Sequence, residues 1–164
     1  QLINGSYKEN KYTLTDFGEE INGEMVYRLL ADITLTEEDC NKLEPMGIYT
    51  SHPFTGTFDG EGHTITNLEF KAYKGYGGLF GKVEETAIIK NLNIRNARGP
   101  IEKSDSEPRI GFIVGQGNGI ILNCHVTDSN LLETETNYSG GIAGSTNNKI
   151  INCPVNTRKN IVNG

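Results

Sequence analysis

Tryptophan is missing from this chain of 164 residues, and histidine and cysteine contribute three residues each. The histidines, His52, His63 and His125, never stand at His-Glu-x-x-His spacing, so the ligand set of a zinc peptidase is absent. The cysteines, Cys40, Cys124 and Cys153, form no Cys-x-x-Cys pair, the usual mark of a structural zinc site. Gly-x-Ser-x-Gly, the turn that exposes a nucleophilic serine, does not occur either. Positive charge is scarce: 15 Lys and Arg against 21 Asp and Glu leave a net charge of −6. Phosphate backbones and anionic lipid surfaces need clustered cations, so nucleic-acid and polybasic membrane roles are excluded. No apolar run approaches the roughly 18 residues of a membrane-crossing helix, so no transmembrane segment is expected. These absences leave no catalytic residue, cofactor or metal to propose.

What the chain has in quantity is glycine, 20 residues, and a motif pair that returns four times. The first half is roughly aromatic-x-Gly-apolar-apolar-Gly: Phe54–Asp59, Tyr76–Gly81, Ile110–Gly115 and Ser139–Gly144. The second is Ile-x-Asn-apolar-x-apolar: Ile65–Phe70, Ile89–Ile94, Ile121–Val126 and Ile150–Val155. A unit this short cannot bury its own apolar face, so copies must stack as coils of a solenoid. Measured from Phe58, Phe80, Val114 and Ala143 the steps are uneven, and a basic coil of about 20–25 residues with three short strands is expected. Polar insertions at 98–109 and 128–137 lengthen two of the steps and should project as loops.

Apolar alternation holds after each motif Asn and breaks across it, which places a bend there. Three inward columns follow: Ile65, Ile89, Ile121 and Ile150; Leu68, Leu92, Cys124 and Cys153; Phe70, Ile94, Val126 and Val155. Asn67, Asn91, Asn123 and Asn152 should stack at the bend as a structural ladder, since Asn tolerates left-handed backbone angles. Cys124 and Cys153 read as small core fillers or as a disulfide between adjacent coils.

Residues 1–53 differ and read as an N-terminal cap to the repeats at 54–164. Tyr12–Thr15, Met25–Leu30 and Ile33–Leu35 read as strands, with Asn22-Gly23 as a hairpin turn. Thr36 and Asp39 form a capping box for a short helix that Pro45 ends. Gln1 is not an initiator Met, and Lys159–Gly164 carries no capping helix, so a trimmed or mature form that continues past Gly164 is expected.

The stretch Phe54-Thr-Gly-Thr-Phe-Asp-Gly-Glu-Gly-His-Thr-Ile-Thr-Asn-Leu68, with Gly78-Leu-Phe-Gly81 and Ile89-Lys-Asn-Leu92, resembles the GLUG-motif repeats of large bacterial surface and secreted proteins. That family includes filamentous-haemagglutinin-like adhesins and immunoglobulin A1 metallopeptidases. The likeness runs from about Tyr27 to Val155; the third and fourth copies depart, with Gly-Phe-Ile-Val-Gly and Gly-Gly-Ile-Ala-Gly. The resemblance implies an all-β, right-handed parallel β-helix outside the cell, at a bacterial surface or secreted, flanked by other domains. Activity does not transfer with a fold.

The expected role is a non-catalytic repeat module, a binding surface for a host protein or glycan, or a rigid stalk. Alternatives are an accessory recognition domain of an immunoglobulin A1-type metallopeptidase, or a polysaccharide-active enzyme. The outward positions Glu69, Lys71, Asn93, Arg95 and His125 form the candidate binding face. The Asp59-Gly-Glu-Gly-His63 segment reads as a glycine-rich corner, and Tyr73, Tyr76 and Tyr138 as corner packing.

Overall fold

The computed structural model describes residues 14–48, 52–72, 75–100, 108–131, 138–147 and 149–157. It is a parallel β-solenoid of about four turns. One full coil shows the plan. Strand β7 (Phe80–Val83) turns into β8 (Ile88–Lys90), then β9 (Asn93–Arg95) and β10 (Arg98–Gly99), then β11 (Arg109–Gly111). The next coil repeats it with β12 (Val114–Gly117), β13 (Ile120–Leu122) and a long β14 (His125–Leu131), which pairs with both β9 and β10. The last coil follows with β15 (Ser139–Gly140), β16 (Ala143–Thr146), β17 (Lys149–Ile151) and β18 (Val155–Thr157). Before them run β4 (Thr57–Asp59), β5 (Thr64–Thr66) and β6 (Tyr76–Gly77).

The chain enters through a 3-10 turn at Leu14–Phe17 and a hairpin of β1 (Gly18–Ile21) and β2 (Glu24–Arg28). Asn22 and Gly23 both take positive φ, 53° and 82°, as a two-residue hairpin turn requires. Strand β2 pairs in parallel with β4, and β3 (Ile33–Thr34) with β5. Parallel pairing therefore begins at Val26, within the region 1–53 read as an N-terminal cap. The strand expected at Tyr12–Thr15 is replaced at Leu14 by the 3-10 turn; Tyr12 and Thr13 lie outside the described residues. Helix α1 (Glu37–Lys42) has the expected capping box between Thr36 and Asp39. Of the two insertions, Arg98–Gly99 and Asp128–Leu131 are strand, and 101–107 and 132–137 lie outside the described residues.

The register corrects the phasing of the first copy. Phe58 stands opposite Ile89, which stands opposite Ile121 and Ile150. Ile65 stands opposite Ile94, and that column continues through Val126 to Val155. Phe80 pairs with Met46 and Val114, and Val114 with Ala143. Phe58 and Phe80 thus belong to different columns of one coil. A coil takes about thirty residues with four strand positions, longer than the three-strand unit expected.

Each coil accordingly turns at two left-handed corners. Asn91, Asn123 and Asn152 (φ 53°, 51° and 51°) form one, and Asn67, Asn96 and Asp128 (φ 62°, 51° and 52°) the other. Asn67 does not stack with Asn91 as expected. Its Oδ1 accepts from Asn96 Nδ2 at 2.7 Å, while Asn152 Nδ2 donates to Asn123 Oδ1 at 2.8 Å. The first corner is completed at its start by Gly60, where any Cβ would lie 2.4 Å from the Asn91 carbonyl oxygen.

Inside, aromatic rings of neighbouring columns meet. Phe80 packs on Phe54 and Phe58, with centroids 4.8 and 5.4 Å apart, and Phe70 meets Phe112 edge-on at 6.0 Å. Gly99 leaves the space that the Phe70 ring fills, 2.8 Å from where a Cβ would stand. Ile65, Leu92, Ile94, Ile121, Cys124 and Val126 are sealed from solvent. Phe80→Ala should cost about 3–5 kcal/mol, read as a lower urea midpoint. At Asn96, Ala should be less stable than Gly by about 1 kcal/mol, because only the left-handed angle separates the two.

Candidate functional site

Strands alternate their side chains, so an apolar interior forces the polar residues outward in equally regular columns. On the face made by β5, β9 and β14, one outward column is Thr64, Asn93 and His125, and the next is Thr66, Arg95, Thr127 and Asn156. Asn93 Nδ2 donates to the Gly62 carbonyl at 2.7 Å, and Arg95 Nε lies 3.7 Å from Asp128 Oδ2. Asn93, Arg95 and His125 therefore share one face, as expected.

Glu69 and Lys71 do not join it. The chain turns at Asn67, and Glu69 lies beyond that corner, bridged to Arg98, which in turn stands opposite Asn130. Lys71 is two residues further on, outside any strand. Arg98 was missed because the first copy was phased one corner out. The signal was present: Ile94-Arg-Asn96-Ala97 repeats Ile65-Thr-Asn67-Leu68, and Val126-Thr-Asp128-Ser129 follows. In that third copy Ser129 replaces the apolar residue, and its buried hydroxyl accepts the Ala97 N–H at 3.0 Å.

Beside this corner lies a cleft of about 480 Å³ lined by Leu35, Thr36, Glu37, Cys40, Asn67, Glu69, Asn96 and Arg98. Helix α1 forms one wall and is tied to the corner through sulfur. Cys40 Sγ lies 3.3 Å from the Asn67 carbonyl, and Glu69 N–H donates back to Sγ at 3.3 Å. The cleft offers a carboxylate on each wall, a guanidinium and two amides. It suits a ligand bound by several directional hydrogen bonds.

The Asp59–His63 segment is a structural turn. Asp59 Oδ1 accepts from Glu61 N–H at 2.9 Å and Asn91 Nδ2 at 3.0 Å, and Oδ2 lies 3.2 Å from Lys90 Nζ. Burial pushes the Asp59 carboxyl up, but the Glu61, Asn91 and Lys90 contacts outweigh it and hold it below its usual value. His63 Nδ1 lies 3.2 Å from Asp32 Oδ1, which also accepts the Thr64 N–H at 2.9 Å. Those two contacts, Thr64 first, hold the Asp32 carboxyl low. No group of three or more His, Cys, Asp or Glu suited to a metal ion occurs among the described residues.

Cys124 and Cys153 face inward in successive coils as free thiols. Cys124 N–H points to Cys153 Sγ at 3.4 Å. Burial pushes the Cys124 thiol up to about 12. Tyr138 is partly exposed under the Arg109 guanidinium, 5.2 Å from ring centre to Cζ, and Tyr76 is half-buried in β6; Tyr73 lies outside the described residues.

Fold and surface together define a repeat module, a parallel β-solenoid with an apolar interior and a polar, mixed-charge face. Halomucin of Haloquadratum walsbyi contains a similar stretch, 31% identical over 129 residues. The match covers 73% of this chain and 1% of Halomucin, so the chain spans about a hundredth of that relative's length. No family model matches the chain, and no solved structure matches it. No helix among the described residues is long and apolar enough to cross a membrane.

Because the folded-state value of Asp59 lies below its ordinary 3.8, its stabilisation is full above that pH and is lost as pH falls further. Asp59→Asn should therefore lower stability by about 1–2 kcal/mol at neutral pH, with the gap closing in acid, as urea midpoints at both would show. A disulfide-exchange thiol reagent at mildly alkaline pH should label Cys153 in the native protein and leave Cys124 until unfolding, since the thiolate is the reacting form.

Proposed function

We propose that the chain is a non-catalytic, GLUG-type module of a long extracellular protein, which holds a binding face for a host protein or glycan on a rigid coil stack. One observation carries this reading. The outward columns through Asn93, Arg95 and His125 lie on one side of the Asn67–Asn96 corner, and the cleft lined by Glu69, Asn96 and Arg98 lies at that corner, with Asn96 next to Arg95 in the chain. Strands about 4.8 Å apart hold these donors, acceptors and charges at fixed spacing. Both charge signs occur side by side, which favours a neutral or zwitterionic ligand such as a hydroxyl-rich sugar over a polyanion. The similarity to a hundredth of Halomucin supports a unit carried within a very long chain.

A polysaccharide lyase or hydrolase works instead with carboxylates or a base placed on either side of one sugar bond. Here Glu69 and Arg98 are backbone bridge partners of opposite charge in adjacent coils, and Arg95 lies 3.7 Å from Asp128, so the carboxylates stand among cations rather than in an opposed pair. The test is retention of the purified chain on immobilised mucin, mucin-type glycans and immunoglobulin, beside an assay for unsaturated uronide products. The expected outcome is retention on one matrix without product. Changing Arg95, Arg98 and His125 together to Ala should reduce that retention at least tenfold while the circular dichroism stays unchanged. Retention that survives the triple change would move the ligand off this face, and product formation would replace the reading with the enzymatic one.

A further inference from the structure

Several charges on the solenoid meet a counter-charge within the molecule. Arg28 lies beside Glu19 and Glu61, Lys42 beside Glu38, Lys90 beside Asp59 and Arg95 beside Asp128. The corner cleft is different. Among the described residues Glu37, Glu69 and Arg98 have no ion-pair partner, although all three line that one concavity.

Backbone pairing holds two of them in place. Glu69 and Arg98 are parallel bridge partners; Arg98 N–H donates to the Leu68 carbonyl at 2.8 Å, and Phe70 N–H to the Arg98 carbonyl at 3.2 Å. Leu68, Phe70, Ala97 and Gly99 are buried, so alternation turns Glu69 and Arg98 outward. Glu37 comes from the other wall. It stands one turn before Cys40 on the same side of α1, and Cys40 Sγ is held at the Asn67 carbonyl. The capping box takes its carboxylate from Asp39, which leaves that of Glu37 unengaged. The two amides are half used. Asn96 Nδ2 donates to Asn67 Oδ1, leaving Asn67 Nδ2 as a donor and Asn96 Oδ1 as an acceptor.

We propose that this cleft recognises a basic amino acid with a free carboxylate, either the amino acid itself or the last residue of a protein chain. The proposal rests on the corner cleft being a ligand site and names the chemistry of that ligand. A carboxylate suits Arg98, whose planar fork can bond both oxygens. One cationic group suits Glu69, and a second, a side-chain length away, suits Glu37 on the opposite wall. Two carboxylates and one guanidinium leave the cleft net negative, the complement of a ligand with two cations and one anion. A polyanion would meet both carboxylates, and a metal ion would meet the guanidinium. A neutral sugar can bond to these groups but answers none of the three charges. The volume of about 480 Å³ holds an amino acid with room for preceding residues of a chain.

The test is an NMR titration of the full chain with lysine, Nα-acetyl-lysine, lysinamide and norleucine. Lysine should bind and shift the amides of Asn67, Asn96 and Arg98. Lysinamide, without the carboxylate, and norleucine, without the side-chain cation, should each bind about tenfold more weakly or worse. Arg98→Gln should bring lysine to the level of lysinamide and leave lysinamide no weaker, a crossover that loss of structure cannot produce. Glu37→Gln and Glu69→Gln should each weaken lysine about tenfold. Glu85→Gln, on an exposed turn outside the cleft, should change nothing. Nα-acetyl-lysine imitates the end of a chain. If it binds as tightly as lysine, the site takes a protein's carboxyl terminus; if it binds more weakly, the site takes the free amino acid. Absent lysine binding, or lysine and norleucine binding alike, would overturn the proposal. If lysine fails while retention on mucin, glycan or immunoglobulin still depends on Arg98, only the ligand named here is wrong; if both fail, the cleft is not the ligand site.

Discussion

Everything in this molecule depends on one contact, the stacking of each coil on the next in strict register. A single coil buries almost nothing by itself, because its strands are two to seven residues long and its interior is one side chain deep. Placed on a neighbour, it gains parallel hydrogen-bond ladders on several sides at once, and each inward residue lands on its counterpart. Phe58, Ile89, Ile121 and Ile150 form such a line, and Ile65, Ile94, Val126 and Val155 another. The register also disciplines the corners. A left-handed residue must recur at the same place in every coil, or the following strand would present the wrong face.

The surface chemistry is a consequence of that interior. With alternate positions given to the core, the remaining ones form columns of fixed spacing on the outside. Arg95 beside Asp128, 3.7 Å apart, places opposite charges next to one another across coils. Exposed pairs of this kind add little stability, so their value lies in presenting ordered polar groups to a partner. The concavity arises where the regular stack is interrupted. Helix α1 stands against the Asn67 corner through Cys40, and the space between helix and corner is the cleft.

Much of this was legible in the chain. The parallel solenoid followed from the repeat, the hairpin from Asn22-Gly23, and the capped helix from Thr36 and Asp39, because each is a local signal with a local cause. The inward setting of Leu92, Cys124 and Cys153 followed from alternation. The pairing of coils did not. Ile-x-Asn-apolar describes both corners of every coil, so Ile65–Leu68 could be aligned with Ile89–Leu92 or with Ile94–Ala97 equally well. The first alignment put Glu69 beside Asn93 and hid Arg98.

The sequence by itself thus determined the kind of object this is: an apolar-cored stack with polar columns outside and Asn at its bends, since periodicity and backbone preference act within a few residues. Only the tertiary structure decided which residues are neighbours across coils. That choice rests on the total packing of some thirty residues at once, in which Phe58 fits over Ile89 and Phe80 over Met46, and no local pattern contains that sum. The cleft at Arg98 exists only after that choice is made, because it is defined by what stacks on what.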